Sequence, residues 1–215
     1  MDIGSEDSKK ELKEGSNIMR DLAFWFSGHD EYDEICKTFV PVIRKAASAS
    51  GSDSMWANER SVEVKVAKML LFDQLARNCF RRQSEAFAYD CHGFRVAKEL
   101  GELFVRNESS TPDDFYSGAY CCFIIVCLTH SEDIGMHMLA FKVLEKIMAA
   151  GTAPSMNWRF QHGKSVEHMA VIEKFGRYPH RNEAMGRDTT DEEKEWLSSS
   201  DVPMWAKSQM KADDK

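Results

Sequence analysis

Residues 59–82, ERSVEVKVAKMLLFDQLARNCFRR, carry the pattern that decides the fold class of this chain. Within this stretch, apolar side chains recur at helical spacing, at Val62, Val66, Met69, Leu70 and Leu75. Such spacing places them on one face of an α-helix. The stretch therefore predicts a long amphipathic helix over residues 59–80.

Helical patterns of the same kind fill most of the remaining chain, over residues 18–26, 32–49, 85–104, 112–128, 132–149 and 160–175 and after Thr190. Residues 121–128 are β-branched and aromatic enough to resemble a strand, but no hairpin partner is visible beside them. They are therefore predicted to form a buried helix. Together the patterns predict an all-α domain of about eight helices, built as an array of antiparallel helix pairs.

Three positions predict where helices begin or end. Ser131 is expected to cap a helix that begins at Glu132. Gly176 follows the helical pattern over 160–175 and is expected to close it as a C-cap. Thr189 and Thr190 each have a glutamate three residues later, which is the capping-box pattern of a helix start.

The length and charge of the chain fit one folded domain with polar ends. The chain has 215 residues, 43% of them hydrophobic, and its formal charge is −7. Residues 1–15 are almost entirely polar, so we expect a flexible charged leader there. A single helical domain is expected over 16–200, followed by a C-terminal tail over 201–215.

The composition also argues against two classes of partner and indicates the cellular compartment. The acidic total argues against nucleic-acid binding, which needs a basic face. The longest apolar run, 119–128, is too short to cross a bilayer, and no secretory signal is recognisable, so we expect a cytoplasmic protein without a membrane partner. The six cysteines lack zinc-binding spacing and no nucleotide-binding glycine motif occurs, so we expect reduced thiols, no metal and no cofactor.

A first polar cluster lies within the opening stretch. Asp73, Arg77 and Arg81 are spaced by four residues, so a helix places them in one stripe, and Asn78 follows Arg77. We expect Asp73 to hold Arg77 while Arg81 stays free to bind an anion. The alternative is a solvated row of ion pairs.

A second polar cluster lies in FGRYPHRNEAMGR, residues 175–187, between two predicted helices. Its candidate ligand-binding groups are Arg177, His180, Arg181, Asn182 and Arg187. Such a loop suits a carboxylate or a phosphate, because arginine offers a planar fork of donors to two oxygens. The alternative is that these groups cap helix carbonyls and tie neighbouring helices together.

Three further residues could join these clusters. His130 and Glu132 lie at the junction of two predicted helices, and His168 lies on an apolar helical stripe. A lone histidine on such a stripe is more often a hydrogen-bonded core residue than a ligand. Together with His180, these residues are the candidates for general acid/base catalysis.

Several ordered blocks of the sequence resemble one known family. FDQLARNCFR (72–81), AFAYD (86–90), HSED (130–133) and FGRYPHRNEAMGRDTTDEE (175–193) are similar to the signature blocks of the family catalogued as domain of unknown function 924. The resemblance covers about residues 18–200 and implies a tetratricopeptide-like all-α fold, an α-α superhelix. Where family members usually have Phe-Pro, this chain has Leu75-Ala76, so we expect the helix to run further here.

Three functional hypotheses follow from these residues. In the first, an anionic small molecule or the acidic end of a peptide binds in a concave groove lined by the arginines and histidines. In the second, the chain is an enzyme in which His130, His168 or His180 is the general acid/base acting on an anionic substrate. In the third, the same groups form a purely structural network. Convergence of the histidines on an open pocket would favour the enzyme, and full mutual satisfaction without a cavity would favour the structural network.

Overall fold

The computed structural model describes Trp25 and residues 30–48, 61–106, 118–150 and 157–210. These residues form helices and turns, and no strand occurs among them. The all-α prediction is therefore confirmed, while the tetratricopeptide-like superhelix stays a prediction. The expected leader lies outside the described residues, as does all of the helix expected over 18–26 except Trp25.

The α-helices, in chain order, are α1 (Asp30–Lys37), α2 (Val40–Ser48), α3 (Val62–Leu70), α4 (Ala76–Cys79), α5 (Asp90–Arg106), α6 (Gly118–Thr129), α7 (Ile134–Ala150), α8 (Trp158–Phe175), α9 (Asp191–Leu197) and α10 (Met204–Lys207). A π-helical turn over Leu71–Leu75 joins α3 to α4, and 3₁₀ turns lie at Ser84–Phe87 and Pro179–Arg181. None of the helices in the described part of the chain is both long and apolar enough to cross a membrane.

The helix predicted over 59–80 is present, but it is not a uniform α-helix. Ser61 caps α3 by accepting a hydrogen bond from the Val64 amide. Residues 71–75 are π-helical and all five are buried, and the helix then continues through Ala76 to Cys79. Because no proline interrupts the backbone there, the helix runs on as expected.

The two largest apolar clusters of the described residues form most of the interior. The first joins α3, α5, α6 and α7, and the second joins α1, α2, the π-helical turn and α4. Every residue of α6 from Cys121 to Thr129 is buried. This burial on all sides explains why α6 has no polar face, and the prediction of a buried helix there is confirmed.

Two of the three expected helix boundaries are confirmed. Gly176 closes α8 with φ 68°, and Thr190 forms a capping box with Glu193 at the start of α9. Ser131, by contrast, does not cap α7, which begins at Ile134. Asp133 takes that role, because its Oδ1 accepts a hydrogen bond from the Gly135 amide at 2.8 Å.

Residues 201–210, which we expected to belong to a tail, pack on the preceding helices. Val202, Ala206 and Met210 are buried together, and Trp196 and Trp205 pack against them. Trp205 also stacks on His168 with ring centroids 3.9 Å apart. The expectation of a tail is therefore corrected for this part of 201–215, because its apolar residues bury one face of a short helix.

Candidate functional site

A small cavity of about 130 Å³ lies where α4, the end of α6, α8, the turn at 179–181 and the segment around α10 meet. We call it the arginine–histidine cavity. Its lining residues are Arg77, Arg81, Arg181, His130, His168, His180, Asn78, Trp25, Gln74, Phe87, Trp205, Ser208 and Gln209. Residues from both polar clusters of the sequence, about a hundred positions apart, thus face one space.

Asp73 and His130 form a hydrogen-bonded pair at this cavity. Asp73 is buried and does not line the cavity itself, but its Oδ1 and Oδ2 lie 2.8 and 3.0 Å from His130 Nδ1. Arg77 Nε also lies 3.2 Å from this Nδ1. Because the nearer Asp73 carboxylate can only accept, we assign the proton to Nδ1, which leaves a lone pair on Nε2. No described residue hydrogen-bonds to that Nε2, so the lone pair is available to a ligand.

The electrostatics of this pair keep His130 neutral. Burial lowers the pKa of His130, and the nearby Asp73 only partly offsets the effect. Burial would raise the pKa of Asp73, but His130 and the charge of Arg77 hold it below its ordinary value. A carboxylate that orients a neutral imidazole is the arrangement in which Nε2 can act as a base.

Arg77 is held from both sides by carboxylates. Its Nη2 lies 3.0 Å from Asp73 Oδ1 and its Nη1 lies 3.0 Å from Asp90 Oδ1, while Nη1 also donates to the carbonyl of Ala86 at 3.2 Å. Burial opposes the charge, but Asp90 and Asp73 raise the pKa of Arg77 above its ordinary value. The predicted contact between Asp73 and Arg77 is confirmed, and Asp90 is a second partner that helical spacing did not predict.

Arg181 is buried but weakly paired. It is 5% exposed, and its guanidinium carbon lies 4.4 Å from the ring centre of Tyr178 and 4.9 Å from that of Phe87. Its Nη1 is 3.7 Å from Asp90 Oδ2, beyond hydrogen-bond distance, and its Nε has no hydrogen-bond partner among the described residues. Burial and the neighbouring charge of Arg77 lower the pKa of Arg181. The described residues therefore leave this cation under-compensated.

His168 and His180 complete the imidazole lining. His168 Nδ1 donates to the carbonyl of Lys164 at 2.8 Å, so its Nε2 carries a lone pair. Burial lowers the pKa of His168 to about 3 and that of His180 well below the ordinary value. All three cavity histidines are thus neutral near neutral pH. In the described part of the chain, no group of three or more His, Cys, Asp or Glu side chains is arranged to hold a metal ion.

The rest of the second cluster lies outside the cavity lining. Arg187 donates to both carboxylate oxygens of Glu132, at 2.7 and 3.0 Å. Arg177 donates to both oxygens of Glu193, at 2.7 and 2.8 Å, and Asn182 Nδ2 donates to Glu193 at 3.1 Å. These forks tie the loop after α8 to the start of α7 and to α9. Their geometry matches the structural alternative rather than an open anion site.

Arg81 is not free, contrary to our expectation. Its Nε and Nη2 donate to the carboxylate of Asp33 at 2.5 and 2.8 Å, and Nη2 also donates to Asn78 Oδ1 at 2.9 Å. Asp33 lies on α1, so helical spacing around Arg81 could not reveal it. Arg81 and Asn78 line the cavity as groups that already have partners.

Four residues that we did not single out shape the cavity. Asp90 and Tyr178 lie in the blocks AFAYD and FGRYPHRNEAMGR, so their position in a recurring block was a signal. Trp205 and Gln209 lie in the segment that we expected to be a tail. Trp205 itself was a signal that this segment packs on the domain, because exposure of so large an aromatic surface is unfavourable.

Comparison with known proteins places the chain in a family. The sequence model of a family described as "Bacterial protein of unknown function (DUF924)" matches residues 10–201. The chain belongs to this family. The match includes both polar clusters and ends before Trp205 and Gln209, so one wall of the cavity comes from residues beyond it.

A solved structure is also similar to this chain. It is that of ATU0120, a protein of unknown function from Agrobacterium tumefaciens, with 26% sequence identity and a TM-score of 0.56. The similarity covers 80% of this chain and 87% of that chain. No curated protein matches the sequence. Neither the DUF924 family nor the solved structure carries a stated activity, so the chemistry of the cavity is the guide to function.

Proposed function

We propose that the protein binds a small molecule with an anionic group, which Arg181 receives in the arginine–histidine cavity. The observation that supports this most strongly is the buried guanidinium of Arg181, with its unpartnered Nε and its 3.7 Å separation from Asp90. An incompletely paired buried cation is costly. A carboxylate or phosphate group matches the unused donors, since the guanidinium presents a planar fork to two oxygens.

The cavity limits the size of this ligand. Its volume of about 130 Å³ is close to that of an engineered protein cavity of about 150 Å³ that holds benzene. An acid of a few carbon atoms fits this volume, as does the carboxylate end of an acidic peptide. Phe87 and Trp205, which line the cavity, can contact its apolar part.

A thermal-shift titration tests this function. Wild-type protein, Arg181→Gln and Arg177→Gln are titrated with acetate, propionate, phosphate and sulfate at constant ionic strength. Wild-type protein should show saturable stabilisation of the form RT ln(1 + [L]/Kd) with at least one of these anions. Arg181→Gln should lose it, because the group that meets the anion is gone. Arg177→Gln removes a guanidinium of the same loop that pairs with Glu193, so it should be less stable but keep the response.

The control separates binding from salt effects. Sulfate and phosphate also stabilise proteins by exclusion from the surface, so only the part that disappears in Arg181→Gln counts as binding. Equal stabilisation of wild-type protein and Arg181→Gln by every anion would contradict the proposal. A wild-type protein indifferent to all four anions would do so as well.

A second candidate function is catalysis, and the contact between Asp73 and His130 specifically favours it. Asp73 fixes the Nδ1–H tautomer of a neutral His130, whose Nε2 can take a proton from a substrate held by Arg181. The test incubates the protein with a metabolite extract and follows every compound by mass spectrometry. A compound consumed by wild-type protein and by Arg177→Gln, but not by His130→Gln, would establish catalysis. An extract left unchanged by stoichiometric wild-type protein would contradict it.

A further inference from the structure

The cavity offers hydrogen-bond acceptors as well as a cation. His130 and His168 both line it, and in each ring the proton on Nδ1 is already used, by Asp73 in one case and by the carbonyl of Lys164 in the other. A backbone carbonyl cannot donate, so Nδ1 of His168 carries the proton. For His130 the proton is assigned to Nδ1 because the Asp73 carboxylate is closer than Arg77 Nε. Each ring therefore presents the lone pair of Nε2.

The two imidazoles are also fixed in place and neutral. The ring of His168 stacks on Trp205, with centroids 3.9 Å apart and planes inclined by 14°. The ring centres of His130 and His168 are 6.1 Å apart, so one small molecule can reach both. Because burial keeps the rings unprotonated near neutral pH, their lone pairs remain available there.

A third acceptor lies on the wall formed by the C-terminal segment. Gln209 lines the cavity, and its Oε1 is buried without a hydrogen-bond partner among the described residues. Buried polar atoms are nearly always hydrogen-bonded, so a hydrogen-bond donor in this region would stabilise the wall. A simple carboxylate or sulfate ion has no such donor to offer.

We propose that the ligand carries, besides the anionic group received by Arg181, a hydroxyl or amino group whose hydrogen is accepted by Nε2 of His168. The proposal rests on the anion binding proposed above and narrows its ligand to small hydroxy acids and amino acids. An acid without the second group would satisfy Arg181 but cover Nε2 of His168 without offering it a donor, which costs binding free energy.

Isothermal titration calorimetry with three acids of three carbons each tests the proposal. All three acids carry a carboxylate. On the carbon next to it, propionate has no polar group, lactate has a hydroxyl group and alanine has an amino group. Lactate or alanine should bind wild-type protein about fivefold or more tightly than propionate, the effect of roughly one net hydrogen bond. Whichever of the two binds more tightly identifies the donor.

Two variants assign this preference to the acceptor. His168→Phe keeps a flat ring against Trp205 but removes the lone pair, so the preference over propionate should vanish while propionate binding stays. His162→Phe changes an exposed histidine on the same helix, outside the cavity, and should keep the preference. A preference that survives in His168→Phe would overturn the assignment.

The wild-type titrations alone distinguish failure of this inference from failure of the proposed anion binding, even if a variant fails to fold. Propionate binding as tightly as lactate and alanine would overturn this inference and leave anion binding at Arg181 intact. Binding of none of the acids, together with no response to phosphate or sulfate, would overturn the proposed function itself. A preference for the hydroxy or amino acid supports both.

Discussion

Single residues of the same type have different roles here because their partners differ. Arg81, Arg177 and Arg187 each place two nitrogens against one carboxylate, at distances from 2.5 to 3.0 Å. Arg77 lies between two aspartates. Arg181 differs from the other four in that its carboxylate lies at 3.7 Å, beyond hydrogen-bond distance. Arg77 and Arg187, like Arg181, each have one buried nitrogen without a hydrogen-bond partner in the described part of the chain. The difference in distance is why we propose the anion-binding role for Arg181 and a structural role for the others.

Glu193 tests the structural role of the loop after α8. It is 2% exposed, and hydrogen bonds from Arg177 outweigh its burial and lower its pKa to about 2. Since an unfolded glutamate titrates near pH 4.3, the ionised group stabilises the fold fully above that pH and this stabilisation is lost as the pH falls toward 2. Glu193→Gln should lower the free energy of unfolding near neutral pH by about 3 kcal/mol and flatten this acid dependence.

Urea denaturation at several pH values measures both effects. Glu195→Gln, exposed on the same helix, serves as the control and should change the stability by less than about 0.5 kcal/mol. Equal losses in the two variants would show that Glu193 does not hold the loop.

At the scale of elements, the π-helical turn over 71–75 is a feature that the spacing of apolar residues does not predict. All five residues are buried. The contrast between buried apolar and exposed polar positions, which would distinguish a π turn from an α turn, is therefore absent here. A π turn inserts one residue into the helical register, and such turns are frequent at functional sites. Here it carries Asp73, the partner of both Arg77 and His130. The spacing predicted a helix but could not distinguish its π form.

The glycines of α8 provide a matched pair of substitutions. Gly176 has φ 68°, and Gly163 lies inside the helix, while neither has a heavy atom within 4 Å of an added Cβ. Gly176→Ala should therefore cost about 1–2 kcal/mol of backbone strain in the left-handed conformation. Gly163→Ala should stabilise the protein by about 0.5–1 kcal/mol, because alanine favours a helix interior. Thermal unfolding measures both, and shifts of the same sign would contradict the C-cap assignment.

The packing of α10 against the cavity also predicts an outcome. Trp205 stacks on His168 and its Nε1 donates to Glu167 at 3.3 Å, whereas the neighbouring Met204 is 78% exposed. Trp205→Ala should destabilise the protein by about 2 kcal/mol, which lowers Tm by about 4–8 °C in a domain of this size. Met204→Ala should stay within about 0.5 kcal/mol of wild type. A Trp205→Ala variant as stable as Met204→Ala would mean that this segment does not pack as described.

At the scale of the whole molecule, local sequence patterns predicted the helices and several residues of the cavity. They did not predict which side chains distant in sequence form hydrogen bonds and ion pairs. The contact of Asp73 with Arg77 follows from four-residue spacing. The contacts of Arg81 with Asp33 and of His130 with Asp73 join residues roughly fifty positions apart, so no local pattern encodes them. The tail was misjudged for the same reason, since a four-residue helix has too few positions to show a period.

Four neutral histidines, two of them buried and two half-buried, make the free energy of unfolding depend on pH. Burial lowers the pKa values of His130, His137, His168 and His180, so each takes up a proton more readily in the unfolded chain. The free energy of unfolding should therefore fall as the pH drops below about 6.5, by up to about 1.4 kcal/mol per histidine and pH unit. Denaturation at successive pH values measures the slope, which His168→Phe should reduce and His162→Phe should not. A free energy of unfolding that increases as the pH falls from about 6.5 to about 4.5 would contradict the burial of neutral imidazoles.

The central claim is that Arg181 receives an anion in the arginine–histidine cavity, and anomalous diffraction tests it most directly. Crystals of the protein are soaked in selenate, whose selenium marks the position of a bound tetrahedral anion. We expect an anomalous peak inside the cavity, with a selenate oxygen within hydrogen-bond distance of the Arg181 guanidinium. Peaks confined to surface cations, with the cavity empty of selenium at saturating selenate, would contradict the claim.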